Sequence, residues 1–492
     1  DKDTARYIIT VKFEETPSDP YTLPEVDGWS GWYKSNVIVT PKEGYEIAQA
    51  ASSAFSATTV LTSQGADARY VYLRNSATHG ITDRIAVNIK IDTVKPDAAK
   101  MKISYSESVM DKVLSAITFG YYNPSVTVTF TAEDETSGLN YLDWKYTRQD
   151  GASTANLAEE SGTLTFVDGK AELTLTGSDV KQYRGNLSFT ATDNAGNTSD
   201  LKTDTDHVIV VDTIAPTREV SYAAPKTELD GKKYFDGDVE LTFTVTETNF
   251  YEEDFAVRVS KNGGAKERVY PTWEKSAEAD NVFIGKYTLT GDGDYVVSAE
   301  YKDRSSNQMQ EYQSDVLVID TINPVIEFSY NEAKQETTII VTEHNFRPED
   351  IVATVTATDV NGNEVSSNDL NAELHSDKWT HDGDTHTFTT ANYANGIYTI
   401  KFDYVDLAKR TGTLTTDAFI VDRDKPSAPE IRYSRSLLDT VLGSISFGFY
   451  NPTVDVTFTS CDNFTGVDYF TWSYVKQAGA STVNVSAYEE AK

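Results

Sequence analysis

The sequence predicts an all-β chain built as a string of antiparallel β-sandwich domains. Three observations predict it. Four segments repeat one pattern: Ile91-Asp92-Thr93-Val94-Lys95-Pro96, Val211-Asp212-Thr213-Ile214-Ala215-Pro216, Ile319-Asp320-Thr321-Ile322-Asn323-Pro324 and Val421-Asp422-Arg423-Asp424-Lys425-Pro426. Each is a β-branched strand end, an Asp, and a Pro four residues later. The four Asp residues lie 120, 108 and 102 residues apart, and a period near one hundred with a strand-breaking Pro marks repeated modules. The chain has 29 Tyr and 21 Phe against 3 Met, a balance that suits pleated, half-buried strands. Runs such as Val126-Thr127-Val128-Thr129-Phe130 and Val239-Glu240-Leu241-Thr242-Phe243 alternate apolar and polar residues. Asp-Gly, Asn-Gly and Gly-Asn pairs separate the runs as turns, and about seven short strands per repeat is a sandwich pattern.

At 492 residues the chain is too long for one core. The junctions divide it into residues 1–92, 93–212, 213–320, 321–422 and 423–492. The first domain stands apart, with Gly28-Trp29 and Gly31-Trp32-Tyr33 ahead of a predicted strand over Asn36 to Thr40. The second domain repeats in the fifth: Tyr105 to Thr154 aligns with Tyr433 to Thr482 at a constant offset of 328. Phe119-Gly120-Tyr121-Tyr122-Asn123-Pro124 matches Phe447-Gly448-Phe449-Tyr450-Asn451-Pro452, and Trp144 matches Trp472; both Trp residues read as core. By this alignment 423–492 repeats only 93–164, so the fifth domain reads as incomplete and its inner faces lack partner strands. The third and fourth domains are a second pair. Thr246-Glu247-Thr248-Asn249-Phe250 matches Thr342-Glu343-His344-Asn345-Phe346 at an offset of 96.

Composition narrows the functional classes. The net charge is −33, from 76 acidic and 43 basic residues. Such a chain repels phosphate backbones, which argues against nucleic-acid partners. The acidity reads either as a solvated surface or as divalent-cation binding by some of the acids. A single cysteine, Cys461, permits no disulfide within the chain. No apolar run is long enough to span a bilayer, and the N-terminal residues lack a signal-peptide pattern. The chain therefore reads as an internal, monomeric segment of something larger, with any anchor outside it. His375, His381 and His386 have spacings that fit no zinc signature and read as part of a turn. Metalloprotease, nucleophile-elbow and phosphate-loop motifs are absent, and no carboxylate pair stands out over a cleft, so the chain reads as non-enzymatic.

The acids at the junctions form the candidate site. On an immunoglobulin-like sandwich, the first strand starts at the pole that carries the loops after the second and sixth strands. Asp92, Asp134 and Asp193 would then converge in the second domain; Asp212, Glu247 and Asp303 in the third; Asp320, Glu343 and Asp406 in the fourth. The fifth offers Asp422, Asp424 and Asp462 without a sixth strand. Grouped carboxylates repel one another, and calcium relieves this by taking six to eight oxygens in loose geometry. Asn194, Asn249 and Asn345 are candidate neutral partners. The competing reading is that each Asp caps its own turn, with Arg304, Lys409 and Arg410 forming ordinary ion pairs. A ligand platform is suggested by Trp29, Trp32 and Tyr33, aromatics flanked by Gly that can stack on sugars or anchor a protein; the competing reading has them sealing the core edge.

The Asp-Thr-x-x-Pro junctions, the Ala191-Thr192-Asp193-Asn194-Ala195-Gly196-Asn197 loop and the Glu-x-Asn-Phe segments resemble bacterial Ig-like repeats of large, often Gram-positive, cell-surface proteins. The resemblance implies tandem Ig-like sandwiches in an extended string, displayed outside the cell as an adhesin stalk or spacer. It also implies calcium at comparable junctions, best supported for the second and third domains. Two alternatives stand beside the stalk. One is an adhesin module that binds a host glycan or host protein such as an immunoglobulin, with Phe119, Tyr122, Phe447 and Tyr450 exposed. The other is an accessory region of a surface glycoside hydrolase.

Overall fold

The computed structural model describes residues 13–108, 120–434, 453–485 and 487–491. It is all-β, with many small sheets following one another along the chain. Four groups of sheets each close around one hydrophobic cluster, and these are modules one to four below.

In module two, one sheet joins Lys102–Tyr105, Ser125–Thr131 and Lys170–Thr176, all antiparallel. The facing sheet is built on Tyr183–Asp193 and Leu139–Arg148, with Glu159–Thr165 outside them and Ile209–Val211 on the other edge. Alternation decides which side chains meet. Val126, Val128 and Phe130 point inward from the first sheet, against Leu142, Trp144, Tyr146, Leu187 and Phe189 from the second. Trp144 thus lies in the core, as its place in the sequence predicts. The short strand Tyr121–Tyr122 pairs in parallel with the last strand, Ile209–Val211.

Module three repeats this plan. Thr217–Ser221, Val239–Thr246, Val282–Leu289 and Thr272–Lys275 form one sheet. Ala256–Lys261, Gly293–Glu300 and Val316–Ile319 are central to the other, and Lys232–Phe235 pairs in parallel with Val316–Ile319. Leu241, Phe243 and Val245 meet Phe255, Val257 and Val297 between them. In module four, Val325–Asn331, Glu336–Thr342 and Thr385–Thr390 face Ile351–Thr358, Gly396–Val405 and Phe419–Val421. A five-residue helix, Leu370–Leu374, capped by Asp369, was not expected from the strand pattern. Module one is smaller. Its core joins Val37 and Val39 of Val37–Pro41 to Val71 and Leu73 of Arg69–Asn75. Its last strand, Lys90–Ile91, pairs in parallel with Trp32–Tyr33.

Beyond Val421 the described residues form two isolated hairpin-like pairs, Glu430–Tyr433 with Val456–Thr459 and Thr471–Val475 with Ala487–Ala491. Tyr433, Val475 and Val483 are exposed there. Trp472 is half-buried beside Phe458, unlike its repeat partner Trp144 in the core.

Candidate metal centres at the module junctions

Each centre begins with an Asp whose position the preceding module fixes. The parallel pairing at the end of module one continues for one more bond, so the Asp92 N–H donates to the Tyr33 carbonyl at 2.8 Å. In the same way Asp212 N–H reaches the Tyr122 carbonyl at 3.1 Å, and Asp320 N–H the Phe235 carbonyl at 2.9 Å. The carboxylates then cap their own turns, accepting from Val94, Ile214 and Ile322 N–H.

The second acid of each set follows the second long strand. Asp134 Oδ1 accepts from the N–H groups of Thr136, Ser137 and Gly138. Glu247 and Glu343 each accept from the N–H two residues on, at Asn249 and Asn345. The third acid ends the longest strand of its sheet, or closely follows it, and starts a tight turn. Asp193 takes both the N–H and the side-chain amide of Asn197 at 2.9 Å; Asp303 does the same with Asn307 at 2.8 and 2.7 Å. Asn197 and Asn307 also donate to the backbone carbonyls of Asp92 and Asp212, so the third segment is tied to the first. In module four Arg410 stands at the Asn position and gives Asp406 only its backbone N–H, at 2.7 Å.

The fold thus brings together Asp92, Asp134 and Asp193; Asp212, Glu247 and Asp303; and Asp320, Glu343 and Asp406. Within each set, one carboxylate oxygen per residue lies within 4.8 Å of the others. All but Asp134 are buried. The turn-capping expectation also holds, since the same carboxylates accept backbone N–H groups. The ion-pair expectation does not. Among the described residues no Lys or Arg side chain bridges to any of the nine acids; Arg304 turns away to Glu253 and Asp254, and Arg410 donates to the Asp236 carbonyl.

Burial without a counter-ion sets the electrostatics. Desolvation, followed by the nearby Asp212 carboxylate, pushes the Glu247 carboxyl up to about 9. Desolvation, with Asp320 and Asp406 beside it, pushes Glu343 up to about 8. Burial raises Asp303 and Asp406 to about 6, and Asp193 and Asp212 in the same direction. An internal control comes from Asp359, which makes the same turn with Asn363, accepting its N–H and amide at 2.9 Å. Partly exposed and outside any acid cluster, Asp359 is held below its ordinary value by those bonds. The turn therefore lowers a carboxyl, and the upward displacement of Asp193 and Asp303 comes from burial, with added repulsion from neighbouring acids.

Donor chemistry defines what fits. The ligand atoms are all oxygens, without thiolate or imidazole, which suits a hard divalent cation rather than zinc or copper. At these centres, among the described residues, two buried acceptors have no donor: Asp406 Oδ2 and Asn249 Oδ1. A cation satisfies such atoms and cancels the repulsion together. Among the described residues, the acids of the fifth segment form no comparable triad. Asp422 Oδ2 accepts from Thr465, and Asp462 Oδ1 from Phe464 and Thr465, while Asp424 is exposed.

The loops that start with the third acid also dock on the module before. Trp29 N–H donates to the Ala195 carbonyl at 3.1 Å, and the Trp29 ring stacks on Tyr141. Asn123 donates to Asn307 Oδ1 at 2.6 Å. Tyr121 and Tyr251 join through their hydroxyls, and Arg184 donates to Tyr251 at 3.1 Å. Leu407 packs against Tyr234 and Val318 of module three. Trp29 stood out in the sequence as a candidate ligand platform and not as a docking residue, and none of the others was read as docking; the Asp-x-x-x-Asn spacing at 193/197, 303/307 and 359/363 was the available signal for the tie.

The three residues of the aromatic platform differ in exposure. Trp32 and Tyr33 are 8% and 5% exposed, because they form the strand that pairs with Lys90–Ile91. Trp29 is partly exposed but spends one ring face on Tyr141. Tyr122 is buried in the core of module two, and Phe119, Phe447 and Tyr450 lie outside the described residues. His386 is buried against Phe346 and bonds the Glu343 carbonyl, and His375 bonds that of Ile351.

No protein-family model and no curated protein sequence matches the chain. Among solved structures it is similar to dimeric latent PorU from Porphyromonas gingivalis, at 12% identity over 70% of this chain and 36% of that one, with a TM-score of 0.17. It is also similar to a marsupial T cell receptor, at 10% identity over 64% of this chain and 99% of that one, with a TM-score of 0.18. The chain thus spans about a third of the PorU chain, and at these scores neither likeness bears on function.

Proposed function

We propose that this chain is a non-enzymatic stalk segment of a bacterial cell-surface protein, a string of Ig-like sandwiches stiffened by calcium at its junctions. The modules are residues 1–92, 93–212, 213–320, 321–422 and the partial repeat 423–492. One observation carries the reading. Each acid triad is assembled from an Asp hydrogen-bonded to the preceding module and a loop that docks back on that module. A cation held there fixes the angle between neighbours as well as the fold of one. Four modules end to end reach on the order of 150 Å at about 3.3 Å per strand residue. This length suits holding another module away from a surface. Among the described residues no helix is long and apolar enough to cross a membrane. The competing reading, capture of a host glycan or protein, requires exposed rings; Trp32, Tyr33 and Tyr122 are buried, and Trp29 is 45% exposed.

Equilibrium dialysis against calcium tests the proposal. It expects three ions per chain, with Asp193→Asn, Asp303→Asn and Asp406→Asn each removing one. A chain that retains no calcium at millimolar concentration sinks it.

A further inference from the structure

Besides a Glu in place of Asp134, the centres of modules three and four differ from that of module two at a second position, and this difference points to a ligand. Two residues after the second acid stand Asn249 and Asn345, where module two has Thr136. Both Asn residues make the same bonds. Their N–H groups donate to Glu247 and Glu343 at 2.8 and 2.9 Å, and their side-chain amides donate to Asp212 and Asp320 at 2.6 and 3.2 Å. Asn249 is 4% exposed, and its Oδ1 has no donor.

A buried amide oxygen without a partner is uncommon in a folded core; among the described residues Asn156 and Gln335 carry others, neither of them at an acid triad. Here it belongs to a side chain in direct contact with a carboxylate of the triad. Two side-chain amides stand at the centre of module three, and their ends can exchange by rotation about a single bond; the Asn307 oxygen already accepts from Asn123, which leaves that of Asn249 unpartnered. Without a cation, the NH₂ end faces Asp212 and relieves the carboxylate. With a cation, the favourable arrangement turns the carbonyl end toward the metal, as a neutral oxygen beside three acids. Calcium accepts amide carbonyls readily and fills six to eight positions, more than three carboxylates supply one oxygen at a time.

We infer that Asn249 and Asn345 are calcium ligands through their side-chain carbonyls, so that modules three and four hold calcium more tightly than module two. This rests on the reading of the triads as calcium centres. Thr136 gives its backbone N–H to Asp134 and lacks the amide that could swing. Its centre is also the one with a partly exposed acid, Asp134.

The test is isothermal titration of the full chain with calcium chloride, together with melting in chelator and in calcium. The expected result is two tight ions and one weaker ion. Asn249→Ala should weaken one tight ion by about tenfold or more, while Asn249→Asp, which keeps a side-chain oxygen, retains it. Asn249→Ala should lower the melting temperature in chelator, where the bond to Asp212 is lost, and lower the calcium-bound one by clearly more. Equal loss in both conditions would overturn the inference, because it assigns Asn249 to positioning Asp212. Three equivalent ions, or an unchanged tight ion in Asn249→Ala, would overturn it as well. If Asp212→Asn still abolishes that ion, the triad reading survives the failure. Absence of any bound calcium overturns both.

Discussion

At the residue scale, Glu247 is the clearest case of a group whose chemistry is set by its surroundings. Its folded carboxyl is pushed up to about 9 from an ordinary 4.5. The folded state therefore keeps a proton that the unfolded chain has released. By linkage, its contribution to stability is full below about pH 4.5 and falls as pH rises toward 9. Glu343, up to about 8, acts in the same direction over a slightly shorter window. The metal-free protein should therefore melt at progressively lower temperature from pH 5 to pH 9, and saturating calcium should flatten that slope. Calcium also displaces the protons. Titration at pH 7 in two buffers of different ionisation enthalpy should show release approaching one proton each at the centres of modules three and four. A calcium enthalpy independent of buffer would contradict this. Glu247→Gln should raise the melting temperature in chelator at pH 8 by a few degrees and abolish the calcium response of its centre, since it removes a buried carboxyl and a ligand together.

At the element scale, the junctions depend on small residues and single contacts. A Cβ on Gly28 would lie 2.5 Å from the Ala195 carbonyl oxygen, closer than any van der Waals contact. Gly28→Ala, whose Cβ would also lie 2.6 Å from the Trp32 carbonyl oxygen of its own module, should therefore open that turn and undock Trp29, seen as a red shift of its fluorescence. Unchanged emission would count against the docking. Leu407→Ala removes the side chain that joins Tyr234 and Val318 across the next junction, and should weaken coupling between modules three and four by about 2 kcal/mol. Tyr251→Phe loses the hydroxyl shared with Tyr121 and Arg184, for about 1 kcal/mol. Differential unfolding of two-module fragments measures both.

Much at this scale was legible in the sequence. The alternation of Val126 to Phe130 gave the inward face of its strand, and the repeated Asp-x-x-x-Pro junctions marked the incoming acids. The nine acids were found because each sits at a strand end, where local pattern is strongest. The docking surfaces were not legible. Contacts such as Tyr121 with Tyr251 or Gly28 with Ala195 depend on how two folded bodies meet, and neither residue carries a local pattern that announces its partner. Burial likewise separates Trp32 from Trp29, although both are Trp residues beside a Gly.

At the scale of the whole molecule, the repeated plan makes each junction a copy of one device with altered parts. Module two uses three Asp residues; modules three and four use a Glu between two Asp residues, with an Asn beside it; module four replaces the Asn tie by Arg410. The central claim is that cations at these places stiffen the string. Small-angle scattering of residues 1–422, in millimolar calcium and then in excess chelator, tests it most directly. That span omits the fifth segment, whose apolar residues include the exposed Tyr433, Val475 and Val483. The account predicts an extended particle in calcium that becomes shorter on average and more flexible when the cation is withdrawn, with Asp193→Asn and Asp303→Asn reproducing part of the change. Identical scattering curves in calcium and chelator would contradict it.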